Sequence, residues 1–297
     1  MNKIFPKHFL LLIDKAPGRT SHDEVVRIRR ALKGIGVDAK VGHSGTLDPK
    51  VTGLLVVGVG KATKLLSMLL ESPKTYVGTL EIHKPIKREM LEHTVEHFKG
   101  KIEQLPPQKS SVKRVLRTRY VYGLEIQRFS PREAVLNCVV ERGMYIRKLF
   151  HDMGEYMDTG ASMGPLRRTG VAEFSIDDPR VISSDQFVDL INIYVSSNIL
   201  KRRFLKKRLA EIIVPTEEIV RGYKRVQLEK GMTRFISSGA DVFVPGVFSV
   251  EDGVNKGEDI ALFDGLLLVG LGIARMNTYQ MRTEEKGIAI EITKRLC

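Results

Sequence analysis

The twelve residues GHSGTLDPKVTG at positions 42–53 decide how the rest of the chain is read. Three glycines, a histidine, an aspartate and a proline stand together there, between apolar runs that close at Val41 and reopen at Leu54. Glycine lets a backbone turn sharply and approach a ligand closely. Pro49 restricts Asp48 to extended conformations, so its carboxylate is presented on a stiff loop rather than on a helix. His43, Ser44 and Thr46 put further polar groups beside it. An ordinary turn in which Asp48 bonds its own backbone fits the same spacing.

Outward from this loop the chain alternates helical and strand periods. Upstream, residues 8–13 read as a short apolar strand and DKAPGRT as a turn. Ser21 with Glu24 three residues later predicts a capping box, opening a helix to about Lys33 that Gly34 and Gly36 stop. Downstream, strands are expected over 54–59 and 75–82, and helices over 62–71 and 88–99. Pro106 and Pro107 precede a basic strand region over 112–129, EAVLNCVVE at 133–141 alternates as a strand, and 144–157 is periodic as a helix. Two helical stretches follow between Ile176 and Pro215. Beyond Pro215 glycines recur between short strand-like runs, the spacing of a small β-barrel. The expected division is a first domain of mixed α and β over 1–213 and a second over 214–297.

Charge narrows the partners. Of 297 residues 42% are hydrophobic and 28% charged, a globular composition, but 48 Lys+Arg against 35 Asp+Glu leave a net charge of +13. Such an excess points to a polyanion, nucleic acid or an anionic membrane surface. The longest apolar runs are too short to span a bilayer. Asp14 interrupts the run at 9–13 before a leader core forms, so no secretory leader is expected. Cys138 and Cys297 lack metal-ligand spacing, which fits a reducing interior.

Two patterns mislead. HTVEH at 93–97 matches an inverted zinc-peptidase motif, but His93, Glu96 and His97 fall opposite the apolar face of Leu91, Val95 and Phe98, so they are expected to face solvent. GVGKATK at 58–64 lacks the glycine offset and the Ser/Thr of a phosphate-binding loop. Two basic stretches suit a polyanion better. KSSVKRVLRTR at 109–119 sets Lys109, Lys113 and Arg114 beside serines, groups that match phosphate oxygens, although an exposed basic strand fits as well. KRRFLKKR at 201–208, with Lys201, Arg202 and Arg203, has an apolar side in Phe204, Leu205 and Leu209. A packed helix offering charge to RNA and a solvated charge run both fit it. In ERGMYIRKLFHDMG at 141–154, Arg147 and Lys148 stand near a helix N-terminus, where cations oppose the helix dipole. A carboxylate partner elsewhere would explain Arg147.

Taken together, these residues resemble the TruB-type pseudouridine synthases. GHSGTLDPKVTG looks like their catalytic loop, with Asp48 on the nucleophilic aspartate. DKAPGRTSHDEV resembles their N-terminal motif, and KTY at 74–76 their Lys-x-Tyr motif, which places Tyr76 on the active-site tyrosine. RGMYIRKLFHDMG is similar to the helix whose arginine pairs with the aspartate, here Arg147. PLRR at 165–168 resembles the stretch whose leucine lines the uracil pocket, here Leu166. PPQKSSVKR at 106–114 resembles the RNA-guided branch, the dyskerin-like catalytic subunit of H/ACA ribonucleoproteins, and residues 239–262 look like its PUA domain. Ala16 stands where the family often has proline, and Ser162 where it has histidine.

The resemblance implies an α+β fold: a catalytic domain with a mixed, mostly antiparallel sheet flanked by helices, and a C-terminal PUA β-barrel. It implies isomerisation of uridine in rRNA, and in tRNA as a further substrate, by Asp48 with Tyr76 and Arg147. His43, Leu166, Lys74 and Arg168 are expected at the substrate, and Lys109, Lys113, Arg114, Lys201, Arg202 and Arg203 on RNA. The implied partners are an H/ACA guide RNA, substrate rRNA or tRNA and small H/ACA accessory proteins. No membrane, metal or cofactor is called for. The implied compartment is the cytoplasm, or the nucleolus in a eukaryote. A stand-alone tRNA synthase and a non-catalytic PUA-type RNA-binding protein are the other expectations.

Overall fold

The structure, a computed structural model, describes residues 5–105 and 114–297. Its elements in chain order begin with β1 (Phe9–Lys15), α1 (Ser21–Gly34), β2 (Val41–His43), β3 (Thr52–Val59), α2 (Leu66–Glu71) and β4 (Lys74–Ile82). There follow α3 (Arg88–His97), β5 (Gly100–Gln104), β6 (Arg117–Ser130), β7 (Glu133–Val140), α4 (Ile146–Tyr156), β8 (Ala161–Val171), β9 (Phe174–Ser175), α5 (Ser184–Ser196) and α6 (Ile199–Glu211). The last part holds β10 (Lys224–Leu228), α7 (Thr233–Ser238), β11 (Val242–Phe243), β12 (Val247–Val250), β13 (Asp259–Asp264), β14 (Leu267–Ala274), α8 (Thr278–Thr283) and β15 (Ile288–Arg295). Among the described residues no helix is long and apolar enough to cross a membrane.

The first sheet runs β1-β3-β8-β4-β7-β6-β5, with β2 beside β3 and β9 beside β8. β3 and β8 run parallel, while β8, β4, β7, β6 and β5 pair antiparallel. β7 shows the expected alternation: Ala134, Leu136, Cys138 and Val140 are buried and the residues between them are not. Its buried side faces α3 and α4, where Leu91, Val95, Leu149, Phe150 and Met153 complete the core. α4 can lie close because Gly154 has no side chain; a Cβ there would fall 2.1 Å from the Ala161 nitrogen. The effect is to set the N-terminal end of α4, and Arg147 with it, over this face of the sheet.

The second unit is compact by itself. It gathers Val214–Cys297 with Gly58–Leu66 and the described residues up to Leu10. Leu10 and Val214 exchange backbone hydrogen bonds of 2.8 and 3.0 Å, and the Lys61 amide donates to His8 Nδ1 at 3.0 Å. Its six strands form a barrel-like sheet in the order β11-β15-β14-β13-β10-β12, around Val226, Ile236, Ile260, Leu262, Val269 and Ile290.

Some local expectations differ from the structure for identifiable reasons. The cap of α1 is Thr20, whose side chain accepts from the Asp23 amide while Asp23 accepts from the Thr20 amide. Ser21, one residue on, is buried and bonded elsewhere. The helix expected over 62–71 is a 3-10 turn, Gly60–Lys64, followed by the short α2. Phe204 is 69% exposed, and only Leu205 and Leu209 of its stretch pack inward. His93 and His97 are exposed, as expected, but they also embrace Tyr156: its hydroxyl lies 3.0 Å from His93 Nε2 and its ring stacks on His97 at 4.1 Å. Among the described residues no cluster could hold a metal ion.

Candidate functional site

The loop between β2 and β3 is held by its backbone almost everywhere except at the Asp48 side chain. The Ser44 amide donates to Val56 O at 2.9 Å, and a turn closes with Val51 N on Asp48 O at 3.0 Å. From below, the ammonium of Lys15, fully buried, donates to the carbonyls of Val51 at 2.8 Å, Ala16 at 3.0 Å and Pro49 at 3.2 Å. Gly18 N also donates to Pro49 O, at 2.8 Å. Ser21 Oγ accepts from the Leu47 amide at 2.8 Å. Each bond fixes the loop and leaves the carboxylate free to point outward.

Asp48 meets Arg147, whose Nη2 lies 3.1 Å from Oδ2. Both side chains are about three-fifths exposed, at 61% and 62%. An ion pair so wet contributes roughly 0–1 kcal/mol to stability, so fold stability does not explain it. Its value lies in orientation, and it strengthens once a substrate excludes water. Arg147 is itself placed by a buried amide: Gln104 Oε1 accepts from Tyr145 N at 2.8 Å and its Nε2 donates to Tyr145 O at 3.1 Å. Tyr145 is the cap residue of α4, so this clip sets the turn that carries Arg147.

Tyr76, half-buried on β4, stands opposite Cys138 of β7 and Arg168 of β8. Leu166 is opposite Gly78, close enough that a Cβ on Gly78 would lie 2.8 Å from it and 3.1 Å from Phe150. Arg168 is 1% exposed, so its expected contact with substrate is replaced by an internal one. Its Nε donates to Leu54 O at 2.8 Å and its Nη2 to Gly45 O at 3.2 Å. Burial pushes this guanidinium down from its ordinary range, while the Tyr76 phenol, within hydrogen-bonding reach, opposes the shift. His43 is half-buried, and its Nδ1 accepts from the Gly45 amide at 3.2 Å, which leaves the hydrogen on Nε2. Burial, with Arg168 and His22 adding to it, lowers the imidazole and keeps it neutral at pH 7.

Lys74 turns inward rather than toward a substrate. Its ammonium donates to the carbonyls of Leu69, Leu70 and Ser72 at 2.8, 2.6 and 2.6 Å, closing the C-terminal end of α2. Burial lowers it to about 8, with Arg168 and Arg142 adding and Glu71 opposing. The unfolded chain keeps that proton up to about 10.4, so between the two values it binds more protons than the folded one. Stability therefore rises with pH in that window. Urea unfolding at about pH 7.5, 8.5 and 9.5 should show wild type gaining on Lys74→Met as pH rises; a constant difference would mean that the ammonium is not buried as a charge.

The basic stretches are less uniform than their sequences. Lys109 and Lys113 lie outside the described residues, and Arg114 is exposed. On α6, Lys201 and Arg203 are exposed, but Arg202 holds the corner with α5, donating to Tyr194 O at 3.1 Å and Val195 O at 2.6 Å. Sequence reasoning assigned no role to Lys15, Ser21 or Gln104, nor to Asp14, which Arg167 grips with two bonds of 3.0 and 2.8 Å. Their signal was the DKAPGRTS stretch, whose polar residues serve the loop rather than a ligand.

The comparisons with known proteins divide along the chain. Residues 30–146 match the N-terminal domain of the TruB family pseudouridylate synthases, 147–221 the tRNA pseudouridylate synthase B C-terminal domain, and 224–296 the PUA domain. A probable tRNA pseudouridine synthase B of Archaeoglobus fulgidus is 38% identical over 286 residues, 96% of this chain and 84% of that one. The protein of the same name from Pyrobaculum islandicum is 35% identical over 289 residues, 97% and 84% of the two chains. A chain in the crystal structure of a Cbf5-Nop10-Gar1 complex matches with TM-score 0.82 and 34% identity, covering 97% of this chain and 84% of that one. An H/ACA RNP bound to a substrate RNA containing 2′-deoxyuridine gives TM-score 0.82 and 32% identity, with 97% and 85% covered.

Proposed function

This chain belongs to the TruB family of pseudouridine synthases, and from that premise we propose that it isomerises selected uridines of rRNA chosen by an H/ACA-type guide RNA. The observation that carries the reading is the Asp48 carboxylate, outward-facing on a backbone-clamped loop and held by Arg147 at 3.1 Å. A cation at that distance favours and orients the ionised carboxylate. Asp48 acts on the ribose, either attacking C1′ or removing the 2′ proton, and the N1–C1′ bond breaks with its electron pair going to N1. The ring turns without leaving, and C5 bonds to C1′. The C5 proton then departs, its electron pair restores the C5=C6 bond, and N1 takes up a proton. The atoms balance with no oxidant and no second substrate. Tyr76 serves as platform for the flipped base and as acceptor of the C5 proton, Leu166 lines the ring, and His43 enters the space the base vacates.

The barrel-like unit over 214–297, in this reading a PUA domain, holds guide RNA, and Arg114, Lys201 and Arg203 contact phosphates. Small accessory proteins like those in the Cbf5-Nop10-Gar1 complex are the protein partners. The unpaired cysteines Cys138 and Cys297 support a cytoplasmic site of action. A stand-alone tRNA activity is the second reading, favoured by the tRNA synthase names of the relatives. An omission experiment separates the two. The full chain, with guide RNA and accessory proteins added or withheld, is given a guide-complementary rRNA fragment or a tRNA transcript, and pseudouridine is located in each. Guided action predicts modification of the rRNA fragment only in the complete mixture. Full-rate modification of tRNA by the chain alone, with none on the guided target, would overturn the guided assignment.

A further inference from the structure

We propose that Arg168 is a positioning residue for the isomerisation: its guanidinium donates to the Tyr76 phenol oxygen and, with its other donors, anchors the Asp48 loop. The inference rests on the roles given above to Asp48 and Tyr76. A buried cation is costly unless its hydrogens are matched. Arg168 is 1% exposed, and among the described residues no carboxylate pairs with it. What matches it is the site. The Leu54 and Gly45 carbonyls take Nε and Nη2, at 2.8 and 3.2 Å. The strand register puts Tyr76 directly across from it on β4 and Gly53 across from it on β3.

The direction of the hydrogen bond carries the consequence. A guanidinium has five donors and no acceptor. The phenol oxygen must therefore accept from Arg168, and the phenol O–H is left to turn toward whatever occupies the site. Arg168 thus sets the orientation of Tyr76 relative to the loop that bears Asp48, from a position where it touches no substrate. Lysine cannot replace it, because a single ammonium does not span two carbonyls and a phenol in one plane.

The test is a double-mutant cycle with the full chain, guide RNA and accessory proteins, reading single-turnover pseudouridine formation and RNA affinity. Arg168→Lys is expected to slow the reaction at least about tenfold without weakening RNA binding, and this factor should shrink at least about fivefold when Tyr76→Phe removes the phenol oxygen. A factor that shrinks by less overturns the proposal, since a purely structural arginine costs the same with or without that oxygen. Should Arg168→Lys fail to fold, or the double variant be too slow to read, 15N NMR of the arginine side chains decides. The Arg168 guanidinium resonances must move in Tyr76→Phe, and unmoved resonances overturn the contact. Asp48→Asn run alongside keeps the two ideas apart: activity in that variant removes the site reading itself, whereas an uncoupled Arg168 removes only this assignment.

Discussion

Asp48→Asn is expected to lower isomerisation below about one hundredth of wild type while RNA affinity stays within about threefold. The substitution is nearly isosteric, so the clamps on the loop survive: Lys15 on Val51 O, Ser21 on the Leu47 amide and Arg168 on Gly45 O all engage atoms other than the Asp48 side chain. What disappears is the negative charge that reacts at the ribose. Residues 42–53 contain no second carboxylate to replace it. Affinity should persist because phosphate contacts on other surfaces hold the RNA. Tritium release from RNA labelled at uridine C5, read beside filter binding, gives both quantities. Parallel losses of rate and affinity would make Asp48 a binding group.

Gly53→Ala should be the most damaging single-methyl change in the catalytic unit. Gly53 has φ +104°, and a Cβ there would sit 2.2 Å from the Arg168 carbonyl oxygen and 2.8 Å from its nitrogen. Both are backbone atoms of the neighbouring strand, so no side chain can swing aside. The backbone conformation costs about 1–3 kcal/mol for a residue with a Cβ, and forced overpacking costs a similar ~1–3 kcal/mol. A loss of roughly 3–5 kcal/mol is expected, with activity falling further because Arg168 and the loop shift together. Gly36→Ala is the control, since Gly36 has φ +78° with nothing within 4 Å of the added carbon. Equal denaturation midpoints for the two variants would show that the β3–β8 approach is looser than described.

How much of this was legible depended on whether a residue acts locally. The alternation in β7, the apolar stripe of α4 and the turn-rich loop at 42–53 are each written into a few neighbouring residues, and each was readable. The cap of α1 was not, because TSHDE satisfies the pattern twice, as Thr20 with Asp23 and as Ser21 with Glu24. Only the tertiary bond from Ser21 to Leu47 decides between them. β8, ASMGPLRRTGV, has neither alternation nor an apolar run, since its place is set by β3 on one side and β4 on the other. Lys74 and Arg168 read as surface cations suited to a polyanion. Their actual partners are carbonyls, 2 to 5 residues away for Lys74 but 114 and 123 away for Arg168, and composition carries no trace of such pairs. The pairing of Asp48 with Arg147, 99 residues apart, was foreseen from cations standing at the wrong end of a helix dipole and from the family resemblance.

The most direct measurement is made on the RNA product. Target RNA, treated by the complete wild-type assembly, is digested to nucleosides, and the pseudouridine formed is compared with the tritium released from C5. One pseudouridine should appear per tritium released, at a single position, with neither signal when Asp48→Asn replaces the wild-type chain. Pseudouridine at that position at an undiminished rate with Asp48→Asn would contradict the account.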